Sequence, residues 1–374
     1  MSRLAIMQLL PALDVGGVER GTLEIARAIV AAGHRSVVVS DGGRLVERLV
    51  REGSEHIEWK IGAKSPLTLR FIARLDALVR ARRIDVIHAR SRVPAWIGWL
   101  AWRRMAPAMR PRFVTTVHGM YSVSRYSEVM TYGERVIAVS RAVEAYIARS
   151  YPRCPMERVR IIPRGVDDDE FPYGHIPDAD WRAQWMRDHP FVAGKRLIVL
   201  PGRITRLKGH EAFIEVLAGL QRTHPDAHGL IVGSGRPRRI ASLVEFARRL
   251  DAPVSFLGPR DDVREIIAIS AMVVSMSTQP ESFGRTVLES LRLGTPVAGF
   301  DHGGVGEVLS DIFPSGRVAA GDTTALTEKV AHFLDHPPLV PRSDAYSLDA
   351  MQSSTVALYE ELTGMSQRRP ETSN

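Results

Sequence analysis

Short apolar runs alternate with amphipathic stretches along most of the chain, and this alternation constrains the fold more than any other feature. LAIMQLL, RSVVVS, DVIHAR, RFVTTVH, RVIAVS and VRIIP are short and rich in β-branched residues, as strands are. Between them lie GVERGTLEIARAIVAAG and PLTLRFIARLDALVRARR, whose apolar residues recur at helical spacing. Gly33 stands where the first of these helices needs a C-cap. Repeated strand–helix alternation implies a parallel sheet covered by helices on both faces. The pattern pauses at VDDDEFPYGHIPDADWRAQW, which is acidic, has no clear period and reads as a linker. It restarts at KRLIVLPGR and continues through HGLIVGSG, PVSFLG, AMVVSMS, TPVAGFD and SGRVAA. Two doubly wound α/β halves are expected, 1–170 and 180–340, with their boundary near 166–180. DAYSLDAMQSSTVALYEELTG reads as a final helix over 345–364, and MSQRRPETSN as a disordered end.

A length of 374 residues fits two domains, and 45% apolar residues can fill two cores. A single cysteine, Cys154, excludes an internal disulfide framework and suits a reducing compartment. The start MSRLAIMQLLPALDV reads as a buried strand and loop rather than a leader. Its apolar run stops at Pro11 and Asp14, and no small-residue cleavage site follows. No apolar run approaches the ~18 residues of a membrane-crossing helix.

The net charge of +8 is uneven. Residues 1–180 carry 28 Lys and Arg against 20 Asp and Glu, whereas residues 181–374 carry 22 of each. The first half therefore faces something anionic, or else carries its charge only for solubility.

Ligands of open α/β sheets bind beyond the carboxyl ends of the strands, so functional residues are expected just after strands. After the first strand, Gly16 and Gly17 allow close backbone approach, and the helix that follows offers free N–H groups. An anion site and a plain tight turn both explain the pair. His118 follows RFVTTV and can position a substrate group or serve as a structural histidine. In GRITRLKG, Arg203 and Lys208 can reach one diphosphate, the first as a fork and the second as a point charge. VGSG and FLGPR are further glycine-bearing strand ends. In QPESFGRTVLES, Glu281 precedes a helix and Glu289 lies within it. Carboxylates accept hydroxyl hydrogen bonds, so the two can grip two polyols. The alternatives are an N-terminal acid preference for Glu281 and a surface position for Glu289.

The segment PESFGRTVLESLRLGTPVAG, with GGVGEVL after it, resembles the E-x7-E signature of retaining nucleotide-sugar glycosyltransferases of the GT-B fold, family four. Gly16-Gly17-Val18-Glu19, His118-Gly119, VIAVSR, RGVD, GRITRLKG and VGSG stand in that family's order, so the resemblance spans nearly the whole chain. It implies two Rossmann-like domains facing across a cleft, the first binding acceptor and the second nucleotide sugar, with the last helix crossing back onto the first. It implies that Arg203 and Lys208 neutralise the donor diphosphate, Glu289 binds the ribose and Glu281 lies near the transferred sugar. Gly284 falls in a backbone turn approaching that sugar, Gly17 lies under the phosphates and His118 near the reacting face. The family often has Asn before Gly-Val-Asp, where this chain has Arg164.

The runs Asp167-Asp168-Asp169 and Asp261-Asp262 read as solvated caps, so no cofactor and no essential metal is expected. ARSRVPAWIGWLAWRRMAPAMRPR places Trp96, Trp99 and Arg103 at helical spacing, with Arg104 alongside. Such a helix lies on a membrane surface or buries its tryptophans in a domain core. With Arg125 and the charge asymmetry, it suggests an anionic, membrane-linked glycan acceptor for a cytoplasmic or peripheral protein. ARSRVPAW and VTTVHGMYS also resemble enzymes of lipopolysaccharide core synthesis. A GT-B sugar-nucleotide epimerase and a non-catalytic anion- or nucleic-acid-binding protein are the competing classes. No zinc pattern, helix-turn-helix or aromatic RNA-binding strand supports nucleic acid as a partner, and the missing GxGxxG argues against a dehydrogenase.

Overall fold

A computed structural model describes residues 3–14 and 16–365. The chain divides into two compact units. One is the chain up to Gly165 together with the segment from Leu348 onward; the other is Val166–Ser347. The sequence reading for 366–374 lies outside the described residues.

The first unit holds a seven-stranded parallel sheet: β1 (Ala5–Leu9), β2 (Arg35–Ser40), β3 (Glu55–Glu58), β4 (Val86–Ala89), β5 (Arg112–Val117), β6 (Arg135–Ala138) and β7 (Val159–Ile161), in the order 3-2-1-4-5-6-7. The apolar strands arise because both faces are covered. Ala5, Met7 and Leu9 enter one core and Leu4 and Ile6 the other, which is the period of two expected of a strand. β3 lies at the edge, pairs only with β2 and reads GSEHIEW, too polar to register as a strand in sequence. The order in which the chain adds strands reverses between the parallel neighbours β1 and β4, so their carboxyl ends open a crevice there.

The final helix, Leu348–Leu362, packs on the same face as the first helix, Gly17–Ala31. Met351, Val356, Leu358 and Tyr359 join Ile6, Ile25, Ile29 and Val114 in one core. Gln352 Nε2 donates to the Glu24 carbonyl at 2.9 Å, and the Tyr359 hydroxyl meets His88 Nδ1 at 2.6 Å. Gly33 follows the first helix at φ +82, the left-handed conformation its position requires.

The second unit holds a six-stranded parallel sheet: β8 (Arg196–Pro201), β9 (Ala227–Val232), β10 (Val254–Gly258), β11 (Met272–Ser275), β12 (Val297–Phe300) and β13 (Arg317–Val318), in the order 10-9-8-11-12-13. Its switch point lies between β8 and β11.

Two sequence expectations need correction. The stretch read as a linker is built into the second unit. Val166 bridges to Ser347, Phe171 and Trp185 are buried in the second core, and the Tyr173 hydroxyl donates to the Val340 carbonyl at 2.6 Å. Its acidic residues conceal these anchors by breaking the apolar period. Asp178 is itself an N-cap, accepting from Trp181 N at 2.7 Å at the start of the helix Ala179–Asp188. Nor are the aspartate runs simply solvated: Asp168 pairs with Arg292 at 3.0 Å, and Asp262 accepts from Arg260 at 2.6 Å and from Trp181 Nε1 at 2.9 Å.

Candidate active site

Both sides of the second switch point contribute to one polar cluster. After β8 the chain turns at Gly202, forms the short turn Arg206–Lys208 and enters the helix His210–Leu220 through Gly209. Gly209 has φ +73, and a Cβ there would stand 2.1 Å from the Met276 carbonyl oxygen. The loop is thus pressed against the end of β11. Lys208 Nζ donates to both Glu281 oxygens at 2.8 Å. Ser277, two residues beyond β11, donates its hydroxyl to Oε1 of the same carboxylate. Its carbonyl in turn accepts from His302 Nε2 at 2.8 Å. Ser277 and His302 were not singled out from sequence. Ser277 stands at a strand end, which is the signal that could have found it.

The loop 281–284 rests on the glycines that open the helix Gly303–Ile312. Gly304 N donates to the Glu281 carbonyl at 2.7 Å. A Cβ on Gly304 would lie 2.2 Å from Phe283 Cα, so the GG pair is needed for close packing. Gly284 caps the helix Arg285–Leu293 at φ +85. Glu289, one turn into that helix, is only 7% exposed, and its Oε1 accepts from Arg285 Nε at 3.0 Å. It is not a surface residue. Arg203 takes a different direction. It is exposed and lines a groove with Arg206, Arg236 and Arg238, so the structure does not bring it to the Lys208–Glu281 pair.

In the first unit, Gly17, Arg90, His118 and Arg164 follow or lie beyond the carboxyl ends of β1, β4, β5 and β7. Arg164 Nη1 donates to the Gly17 carbonyl, and Arg164 Nη2 approaches His118 Nδ1 at 2.9 Å. A Cβ on Gly21 would meet Arg164 Nη1 at 2.8 Å and Arg90 Nη2 at 3.2 Å, so the helix packs directly onto both guanidiniums. Arg90 Nη1 donates to Gln8 Oε1 at 3.0 Å. Gly16 is the N-cap position of that helix. Burial, reinforced by the Arg164 charge, holds the His118 pKa well below the ordinary histidine value. His88, between the Tyr359 and Thr116 hydroxyls at 2.6 Å each, is pushed down by burial and then by Arg90.

Trp96, Trp99 and Arg103 lie on the helix Arg92–Arg104. Both tryptophans are half-buried against the first core. Trp96 Nε1 donates to the Tyr126 carbonyl at 2.9 Å, Trp99 stacks at a tilt on Tyr132 at 4.9 Å, and Arg103 lies 4.8 Å from the Trp99 ring. Arg104 and Arg125 are exposed. Among the described residues no three His, Cys, Asp or Glu side chains gather as metal ligands, and no helix is long and apolar enough to cross a membrane.

Two α/β units with parallel sheets of seven and six strands are the architecture of the GT-B glycosyltransferases. A glycosyltransferase from Rickettsia africae ESF-5 matches with a TM-score of 0.84 at 26% identity, covering 97% of this chain and 99% of that one. HepE (Alr3699) from Anabaena, solved in complex with UDP and glucose, matches with a TM-score of 0.75 at 19% identity over 98% of each chain. In sequence, a D-inositol 3-phosphate glycosyltransferase from Jonesia denitrificans is 27% identical over 336 residues, covering 78% of this chain and 76% of that protein. Residues 15–170 match Glycosyltransferase Family 4, and residues 182–347 match Glycosyl transferases group 1. The chain belongs to the family-four glycosyltransferases of GT-B type.

Proposed function

We propose that this glycosyltransferase moves a sugar from a nucleoside-diphosphate sugar to an anionic glycan, with retention of anomeric configuration. The observation that carries the donor reading is the Lys208–Glu281–Ser277 cluster at the second switch point. A phosphate oxygen can replace the carboxylate on Lys208, which releases Glu281 to accept from hydroxyls of the transferred sugar. Gly284 and the start of the helix Arg285–Leu293 offer backbone N–H groups beside it. Arg203 supplies further positive charge, and Glu289 binds the ribose. The leaving diphosphate is neutralised by these cations without an essential metal or cofactor. The UDP and glucose bound by HepE support a nucleotide-sugar donor.

On the first unit, Gly16, Gly17 and His118 provide the backbone and imidazole donors. The anionic acceptor is supported by charge: the first unit carries 30 Lys and Arg against 18 Asp and Glu, the second 20 against 24. The Jonesia denitrificans relative, named for a phosphorylated inositol, points the same way. The acceptor is a phosphorylated glycolipid of lipopolysaccharide-core type. The enzyme reaches it from the cytoplasmic side, peripherally on the membrane, with Arg103, Arg104 and Arg125 toward its phosphates and Trp96 and Trp99 bracing the helix that presents the first two.

The test is a calorimetric donor screen with UDP, GDP, ADP and CMP sugars on the wild type and on Glu289→Ala. One nucleotide sugar should bind the wild type and bind the variant at least ~10-fold more weakly, the effect of one lost charge-assisted hydrogen bond. Equal binding by both proteins removes Glu289 from the donor site, and no binding by either refutes the donor reading. Release of labelled sugar with EDTA present tests the metal-free step.

A further inference from the structure

We propose that Arg164 is a positioning residue that holds the His118 imidazole in its Nε2–H tautomer, as an obligatory hydrogen-bond donor to a substrate oxygen. The argument begins with what a guanidinium can do. It has five N–H donors and no acceptor. Arg164 Nη2 lies 2.9 Å from His118 Nδ1, so Nδ1 must present its lone pair. The single proton of a neutral imidazole then sits on Nε2. The other arm of the fork donates to the Gly17 carbonyl, and one rigid planar group therefore sets both the imidazole and the glycine loop. The two residues it joins lie 46 and 147 positions away in the chain.

His118 is 9% exposed, and its Nε2 is buried with no partner among the described residues. An unpaired buried donor is costly unless something fills it. Arg90, His88 and Thr116 line one small cavity with His118 and Arg164, and the Tyr121 hydroxyl lies beside the His118 backbone. Tyr121 is already engaged as the acceptor for the His118 backbone N–H at 3.3 Å. The two hydroxyls beside His88 occupy both of its nitrogens. Arg90 is a cation and cannot accept. What remains for Nε2–H is an oxygen from outside the chain, a hydroxyl or phosphoryl oxygen of the substrate. Burial first, and then the neighbouring positive charges, keep the imidazole neutral, so it serves as a fixed dipole rather than as a charge or a proton shuttle. An asparagine at 164 offers both a donor and an acceptor and leaves the tautomer open. Arginine does not.

This inference rests on the proposed reaction only for the identity of the oxygen. The tautomer can be read without any turnover. Long-range proton–nitrogen correlation spectra of histidine-labelled protein, with His118 assigned through His118→Gln, report which ring nitrogen carries the proton. The expected wild-type result is a protonated Nε2 and a bare Nδ1 that persist from about pH 8 down through the ordinary histidine range. In Arg164→Met, and in Arg164→Gln should the first fail to fold, the Nδ1 and Nε2 shifts should move toward averaged values. The His118 titration should move upward as the adjacent charge is lost. Once a donor is identified, kcat should fall ~10- to 100-fold with donor KM within about threefold. A wild-type His118 protonated on Nδ1 overturns the assignment. So do variant spectra identical to the wild type.

Discussion

Lys208 and Glu281 show how one pair can matter little to stability and greatly to chemistry. Both side chains are about a quarter exposed, and ion pairs of that kind contribute about 0–1 kcal/mol. Lys208→Ala should therefore shift the unfolding free energy by no more than about 1 kcal/mol in urea titration. The proposed donor site predicts that the same change lowers kcat/KM by ~100- to 1,000-fold, the usual loss for a donor aimed at developing charge. A parallel collapse of stability and activity would instead make the pair structural. His210 carries a stability prediction. It is fully buried, and burial lowers its pKa to about 4. Its folded pKa lies below the unfolded value of 6.5, so the unfolded chain binds the proton first as pH falls. Stability is complete above about pH 6.5 and is lost as pH falls toward 4, by about 3 kcal/mol from this residue. Urea midpoints of wild type and His210→Gln, compared between pH 7 and pH 4.5, should show a shallower decline in the variant.

At the scale of elements, glycines decide how closely loops approach strand ends. Gly209 and Gly33 both have positive φ, yet their surroundings differ. A Cβ at 209 meets the Met276 carbonyl oxygen at 2.1 Å, whereas at 33 nothing lies within 4 Å. Gly33→Ala should cost only the conformational penalty, about 1 kcal/mol. Gly209→Ala adds a backbone overlap and should cost about 2–4 kcal/mol. It should also loosen Lys208 from Glu281. Chemical denaturation of the two variants side by side separates the terms, and equal losses would show that the loop yields freely. The helix Arg92–Arg104 shows how tertiary packing bears on a sequence ambiguity. Its three tryptophans fit a core or a membrane surface equally well by spacing. In the fold their rings pack on the first core and both Trp96 and Trp102 donate to carbonyls, while Arg103 and Arg104 stay outside.

At the scale of the molecule, the first unit is closed by the far end of the chain. Met351, Val356, Leu358 and Tyr359 cover a face of its sheet, and each buried side chain of this size contributes about 1.5–3 kcal/mol. Their sum is comparable with the whole stability of a domain, about 5–15 kcal/mol. A chain ending at Ser347 should therefore lose the calorimetric transition of the first unit while keeping that of the second, whose core is complete within 166–347. Two unchanged transitions would show that the final helix is dispensable. The charge partition also sharpens at this scale. By linear halves the excess is 28 cations against 20 anions, and by folded units it is 30 against 18. The change comes mainly from the acidic stretch 167–170, which folds with the second unit.

The sequence by itself determined the doubly wound α/β class, nearly every strand, and the local spacing of Lys208, Glu281 and Glu289. These are readings of period and of strand-end position, which short-range sterics and solvent exposure impose within a few residues. The edge strand β3 escaped because one partner and partial exposure demand little apolar character. The attachment of 166–180 escaped because a few buried anchors leave no period among acidic neighbours. Only the tertiary structure decided that Lys208 meets Glu281 and that Arg164 links Gly17 to His118. Those partners are chosen by how the strands are ordered in each open sheet. Hydrogen bonds between residues 46 and 147 positions apart leave no trace in a local pattern.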